Sequence, residues 1–484
     1  MPVGAAPRST ARRSSPTRAA ARHDIVRPMS AALAADGSTP DTVVFDPAGT
    51  AYDTFRIPAL LPIPACALDQ GRLDNDFAAQ DQLVQDQPPG DQPGQVQPGQ
   101  DQAGQDQLGR EPPVLLAFCE GRLESAADSG PIDLVLRRSL DGGGSWLPLQ
   151  VICRAEGKTC GNPAPMLDPA SGDVVLLSVQ NGARVDETAI AEGTADPQDT
   201  RRVFVQRSPD LGRSWTDPVE ITSTVKADGW GWYATGPCHG IALQHSKNAG
   251  RLVVPANHNR CADTAQDRIS SDRVSSDRVS SNGGHCIISD DGGHSWRIGF
   301  TDDNAETLIN ANETTVAELA DGRLVFNARN HHGTGAARVQ AISEDGGESL
   351  TTAYQECPDI TAPNVQASLL SPDGRRLLLS TPAHPTSRRE LTIYLTDDLV
   401  SWRRGAVINP GHSGYSDLGV LGPDRYGVLY EAGESAAHEE IRFRSASLSW
   451  LLTPPVIEQP DRIIDLESDQ DQLSNHATNR KAQP

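Results

Sequence analysis

The sequence predicts an all-β protein assembled from repeats, and three observations carry that prediction. Ten segments of eight residues or fewer are rich in Val, Leu and Ile and are bounded by Gly, Asp, Pro or Asn, as strands are. They lie at 114–121, 132–139, 173–180, 202–208, 251–257, 285–290, 323–330, 376–382, 391–397 and 426–433. No stretch carries the period of a long amphipathic helix. An eight-residue phrase, S-x-D-x-G-x-x-W, recurs as SLDGGGSW (139–146), SPDLGRSW (208–215) and SDDGGHSW (289–296), and more weakly as SEDGGESL (343–350). The copies begin 69, 81 and 54 residues apart, room for about four strands per unit, which suggests a β-propeller.

Each element has its own justification. Residues 1–40 are Ala-, Arg- and Ser-rich without a period and read as a disordered tail. The propeller is expected over 41–457, interrupted by two low-complexity inserts. One, at about 68–111, contains a Gln/Asp/Gly/Pro run, and the other, at about 262–282, contains the tandem DRISSDRVSSDRVSS. Neither has the apolar area to offset its own ordering entropy. The stretch 458–484 reads as a polar tail. In the recurring phrase, Asp accepts backbone N–H groups across a hairpin turn, Gly supplies the positive φ, and Trp packs back on the sheet.

Composition excludes several functions. The 484 residues carry 42 Lys and Arg against 64 Asp and Glu, a formal charge of −22, the wrong field for nucleic acid. No apolar run is long enough for a transmembrane helix. Eight cysteines stand without C-x-x-C spacing, so neither a zinc ribbon nor a thioredoxin-like motif is expected. Cys153 and Cys160 are near enough to close a small disulfide loop, although free thiols are the simpler reading. The basic N-terminal stretch lacks the apolar core of a secretory signal, so a cytoplasmic location is expected, with secretion the alternative.

Six further phrases carry chemistry: YDTFRIPALL (52–61), LLAFCEGRLESAADSG (115–130), NANETTVAELADGRLVFNARN (310–330), HPTSRRELTIYL (384–395), GHSGYSDLGVL (411–421) and LYEAG (429–433). Glu313 and Arg329 are expected on two strands joined by a turn at Asp321–Gly322. With the S-x-D-x-G-x-x-W turns, these phrases resemble the six-bladed propeller sialidases (neuraminidases) of bacterial and animal type, over roughly residues 45–450. The chain departs from that pattern in the long insert after Pro64, and in Cys119 and Cys238, where small residues are expected.

The resemblance implies a site. Arg56, Arg329 and Arg388 would bind a substrate carboxylate, which planar guanidinium forks match bidentately, with Arg122 lining the pocket. Asp128 would be the acid/base, with Glu120, Glu124 and Asp133 as rivals, and it would need a raised pKa to protonate a leaving group. Tyr415 would be the nucleophile and Glu313 its base, with Glu318 competing for that role. Arg389 competes with Arg388. Glu431 would hold Arg56 in orientation. A neutral phenol suits a reacting carbon that already bears a carboxylate, because a second anion approaching it would be repelled.

No metal or cofactor is required by this scheme. The expected activity is exo-α-sialidase, acting as a monomer on sialylated oligosaccharides, glycoproteins or glycolipids. A trans-sialidase and a catalytically inactive sialic-acid-binding propeller are the alternatives. The overall acidity would slow an anionic substrate only at long range, since salt screens beyond about 8–10 Å and the arginines dominate locally.

Overall fold

A computed structural model describes residues 37–64, 112–154, 156–260, 282–302, 309–331 and 335–455. Most of the expected tails and of the two low-complexity inserts lies outside the described residues. Residues 37–40, expected in a tail, instead join the sheet: Ser38 bridges Ala446, and the Thr39 N–H donates to the Ser445 carbonyl.

The described chain is almost entirely β. After β1 (Thr42–Phe45), strands β2 (Thr54–Ile63), β3 (Val114–Arg122), β4 (Ile132–Ser139) and β5 (Gln150–Cys153) pair in succession, antiparallel. The next group is β6 (Lys158–Leu167), β7 (Val174–Gly182), β8 (Arg202–Ser208) and β9 (Val219–Glu220), with a one-turn helix α1 (Glu187–Ala191) before β8. A single parallel bridge, Ile132 to Thr159, joins the two groups into one eight-stranded sheet. A second short helix, α2 (Thr222–Val225), leads to β10 (Trp230–Thr235) and the two-residue β11 (Ile241–Ala242). Both pair with β12 (Leu252–Arg260), which continues to β13 (Asn282–Ser289) and β14 (Arg297–Asp302).

A four-stranded sheet follows, of β15 (Ala311–Glu318), β16 (Leu324–Asn330), β17 (Arg338–Ser343) and β18 (Thr352–Glu356). The last sheet starts with β19 (Ser368–Leu370), β20 (Leu377–Pro382) and β21 (Arg389–Thr396). It continues through the 20-residue β22 (Arg403–Gly422), whose first half pairs with β21 and second half with β23 (Arg425–Gly433). Beyond β23 lies β24 (Glu440–Ala446), and β1 pairs on its outer side, so the start of the fold completes its end.

Apolar clusters sit between successive groups. Leu116 and Phe118 of β3 pack with Leu176 of β7; Leu177 packs with Val254 of β12; Val253 and Ile288 pack with Val316 and Phe326. Val325 packs with Leu377 and Leu379, and Leu378 and Ile393 pack with Leu418 and Val428. The last cluster joins Phe443 and Leu429 to Phe55, Leu60 and Leu115, near the start of the described chain.

The four S-x-D-x-G turns close alike. In each the serine hydroxyl donates to the aspartate and accepts the glycine N–H, while the aspartate accepts the N–H and hydroxyl of the serine four residues on. The participants are Ser139/Asp141/Ser145, Ser208/Asp210/Ser214, Ser289/Asp291/Ser295 and Ser343/Asp345/Ser349. The tryptophans reach into neighbouring sheets or groups: Trp146 packs edge-on against Phe443, and Trp215 against Phe118. Among the described residues no helix is long and apolar enough to cross a membrane.

Candidate active site

The site is built on interruptions of regular pairing. In β2 the register shifts between Arg56 and Ala59, with Ile57 at φ 61°. Proline at 58 disfavours helical backbone at 57, and a β-branched residue at positive φ is strained, so other contacts must hold it. Glu431 supplies them: one oxygen accepts the Ile57 N–H at 3.0 Å and Arg56 Nε at 3.3 Å, and the other accepts the Tyr415 N–H at 3.0 Å. Register shifts also fall at Gly161/Ala164, Trp230/Tyr233, Ala311/Thr314 and Ser413/Ser416, enclosing Asn162, Trp232, Glu313 and Tyr415. A bulge turns a side chain out of the alternation that would bury it in the sheet. Here all five open onto one cavity of about 300 Å³, lined by Ile57, Asn162, Trp232, Glu313 and Tyr415 among others.

The expected residues converge there. The Tyr415 hydroxyl donates to Glu313 Oε1, and Glu313 Oε2 pairs with Arg329 at 2.8 Å. Arg56 and Arg388 lie against the Tyr415 ring, 5.2 and 5.3 Å from its centroid. Asn364 joins two of the arginines: its side chain accepts Arg329 Nε and its carbonyl accepts Arg388 Nη2 at 3.4 Å. Arg122 Nη2 bonds Asp128 at 2.9 Å and Glu120 at 2.6 Å, and Arg56 Nη1 stands 3.5 Å from the same Asp128 oxygen.

Three of the competing residues, Arg389, Glu318 and Asp133, are engaged elsewhere. Arg389 turns outward to His412. Glu318 accepts the backbone N–H groups of Gln244, His245 and Ser246 in a surface turn. Asp133 is buried beneath the Tyr52 hydroxyl, and Glu124 is exposed. Glu120 spends its carboxylate on Arg122 and the Asn162 N–H, an approach that only a glycine at 161 leaves room for.

Electrostatics set the protonation states. Burial, then the Glu313 charge, pushes the Tyr415 hydroxyl up, outweighing Arg329, Arg388 and Arg56, so the phenol is neutral at rest. Burial would raise Asp128, but Arg122 and Arg56 outweigh it and hold the carboxyl below its ordinary value. The raised pKa that an acid role calls for is therefore absent here, because the arginines that surround Asp128 favour its anion. Burial would lower Arg56, yet Glu431, Tyr415 and Asp128 raise it.

One cluster has metal-ligand composition: Cys238, His239 and Asp417, with ligand atoms within 4.8 Å of one another. Its donors are already used. Asp417 accepts the Leu60 and His239 N–H groups, His239 Nδ1 and the Ser368 hydroxyl, and burial keeps the Cys238 thiol protonated. The set ties β2, β19 and β22 together and does not call for an ion. Cys153 and Cys160 are free, with sulfurs 2.9 Å apart.

Several residues at or beside the cavity carried no sequence signal. Asn364 lies in a loop without a motif. Arg201, just before β8, and Glu187, on α1, reach the cavity only because their sheet faces it.

The chain matches the BNR repeat-like domain over residues 114–425. It is 31% identical to a sialidase of Micromonospora viridifaciens over 70% of this chain and 50% of the relative, spanning half that protein's length. It is 30% identical to Sialidase-2 of Rattus norvegicus over 68% of this chain and 87% of the relative. Its fold is similar to the intramolecular trans-sialidase of Ruminococcus gnavus, with a TM-score of 0.61 at 17% identity over 85% of this chain and 98% of that one. Family model and relatives agree: the chain belongs to the sialidase family.

Proposed function

We propose that the chain is a retaining exo-α-sialidase on a six-bladed β-propeller. Support for six blades comes from the pairing, in which β22 serves two successive four-stranded groups and β1 completes the group of β23 and β24. The apolar clusters run from each group to the next and from the last back to the first. The four S-x-D-x-G turns are then Asp-box repeats.

The observation that carries the mechanism is the Tyr415–Glu313 hydrogen bond beside three guanidinium groups. Arg56, Arg329 and Arg388 bind the sugar carboxylate and so fix the anomeric carbon next to the phenol. As the phenolic oxygen bonds to that carbon, Glu313 takes its proton, and Asp128 gives a proton to the departing glycosidic oxygen. In the second half Asp128 takes a proton from water, which displaces Tyr415 with net retention, and Glu313 returns the phenolic proton. Arg122 orients Asp128, and Glu431 positions Arg56 and the Tyr415 backbone.

Hydrolysis of a fluorogenic aryl sialoside tests this reading. Tyr415→Phe should lose at least about a thousandfold in kcat. Asp128→Ala should lose on the order of 10–100-fold on this activated leaving group and far more on an oligosaccharide. Proton NMR should detect the α-anomer first. Full activity in Tyr415→Phe would remove the nucleophile assignment, and transfer to an added acceptor without release would make the chain a transferase.

A further inference from the structure

The chain crosses from its first group of strands to its second through a pair of cysteines that the mechanism does not use. Cys153 ends β5, and Cys160 lies near the start of β6, seven positions on. One strand, β4, sets both: Leu134 pairs with Cys153, and Ile132 bridges Thr159. The sulfurs stand 2.9 Å apart, less than an ångström beyond the length of a disulfide bond, ~2.05 Å. In the connection between them Arg154, Glu156, Gly157 and Lys158 are exposed, and Gly157 turns at φ 71° in open space.

The two thiols differ in chemistry. Cys160 is fully buried, whereas Cys153 is 7% exposed, at the end of a strand that pairs with β4 alone. The hydrogen bond between them lowers the Cys153 thiol in spite of burial, and the same bond, with burial, raises Cys160. Gln180 Nε2 also donates to the Cys153 sulfur, at 3.4 Å. Cys153 is therefore the thiol that ionises first and Cys160 the one that stays protonated beside it. Cys238, Cys286 and Cys357 are buried singly and bond instead to Thr315, Gly347 and Asn327.

We propose that Cys153 and Cys160 form a two-electron redox site, which a small-molecule disulfide oxidises to a cystine that staples β5 to β6. The Cys153 thiolate attacks one sulfur of the oxidant, whose S–S bond breaks, and the first small thiol leaves. Cys160 then gives up its proton and attacks the Cys153 sulfur, displacing the second small thiol. The protein loses two electrons and two protons, and the oxidant gains them as two thiols. The staple ends one residue before Gly161 and two before Asn162. The Asn162 N–H is held by Glu120 at 2.9 Å, and Glu120 in turn holds Arg122, so the bond would fix the backbone on which that pair is seated. The proposal stands on the thiol geometry and is independent of the catalytic reading.

The test incubates the native full-length chain in reduced or oxidised glutathione, quenches with acid, alkylates in denaturant and maps tryptic peptides by mass. In the oxidised sample the peptide ending at Arg154 should be joined to the one beginning at Thr159, lighter by two hydrogens than the pair together. In the reduced sample both should be alkylated. The oxidised chain should melt about 2–5 °C higher by calorimetry, and in Cys153→Ser the two samples should melt together. Both cysteines alkylated after oxidation, glutathione left on Cys153, or a link from either to Cys66 or Cys261, which lie outside the described residues, would overturn the redox site. Joined peptides without a rise in melting temperature would overturn the staple.

Discussion

Asp128 concentrates the chemical tension of the site in one side chain. Its carboxyl is 71% exposed yet bonded to Arg122 and near Arg56, whose charges hold its pKa below the ordinary carboxylate value. The general-acid role proposed for Asp128 requires its proton, so in the free protein the competent form is populated only below that lowered pKa. A bound sugar carboxylate would neutralise Arg56 and bring a negative charge close, which raises the Asp128 pKa in the complex. The sign follows for kinetics on an oligosaccharide, whose leaving group needs protonation. The falling limb of kcat/KM, which reports the free protein, should lie at lower pH than the falling limb of kcat, which reports the complex. Paired pH profiles for wild type and Asp128→Asn check this. Coincident limbs, or a limb that survives in Asp128→Asn, would assign the proton to another group. None of this was legible in the sequence, where Asp128 was one of four nearby carboxylates. The distinction depends on Arg56, 72 positions away, folding over it.

At the scale of elements, what could be read in the sequence separates by range. The S-x-D-x-G turns were legible because eight contiguous residues contain every donor and acceptor, and the strands because their apolar runs need no context. The phrases around Arg56, Glu313 and Tyr415 were readable by resemblance, but their cause, a register shift in the strand that carries each, depends on the paired strand and leaves no local mark. Gly414 illustrates it: a Cβ there would collide with Glu431, so Gly-Tyr-Ser-Asp encodes the approach of a residue 17 positions on. Arg201 and Asn364 stayed silent for the same reason. The turns also make a prediction of their own. Burial would raise Asp291, but Ser295, Ser289 and backbone N–H groups lower it to about 2, and Asp141, Asp210 and Asp345 are lowered too. A depressed folded pKa means the stabilisation is complete above the unfolded carboxyl value, ~3.9, and is lost as pH falls toward the folded one. Urea midpoints should therefore decline from about pH 5 to pH 2. Asp291→Asn should flatten that slope while costing about 1 kcal/mol or less at neutral pH, since the turn faces water. An unchanged acid slope would mean that these turns do not govern acid stability.

Across the whole molecule, the site has no local fold to fall back on. Arg56 and Asp128 come from one group of strands, and Arg201, Glu313, Arg388 and Tyr415 from four others, so they converge only when those groups are seated together. The seam is where β1 adds to β24, with Arg444 bonded to Asp41 at 2.8 Å through both Nε and Nη2. Phe45 is fully buried there, 5.3 Å from the Phe55 ring, in the cluster that also holds Phe443. Its neighbour Phe55 immediately precedes Arg56, so the seam and the site share one strand. Phe45→Ala removes a large core side chain and should cost about 3–5 kcal/mol. The expected outcome is a single calorimetric transition at lower temperature, with the thermal-inactivation midpoint moving down by the same amount and kcat at 25 °C unchanged. Opening of the seam ahead of the rest would instead give two transitions, with activity disappearing in the first. That result would show the β1–β24 pairing to be a separable lock and not part of one cooperative unit.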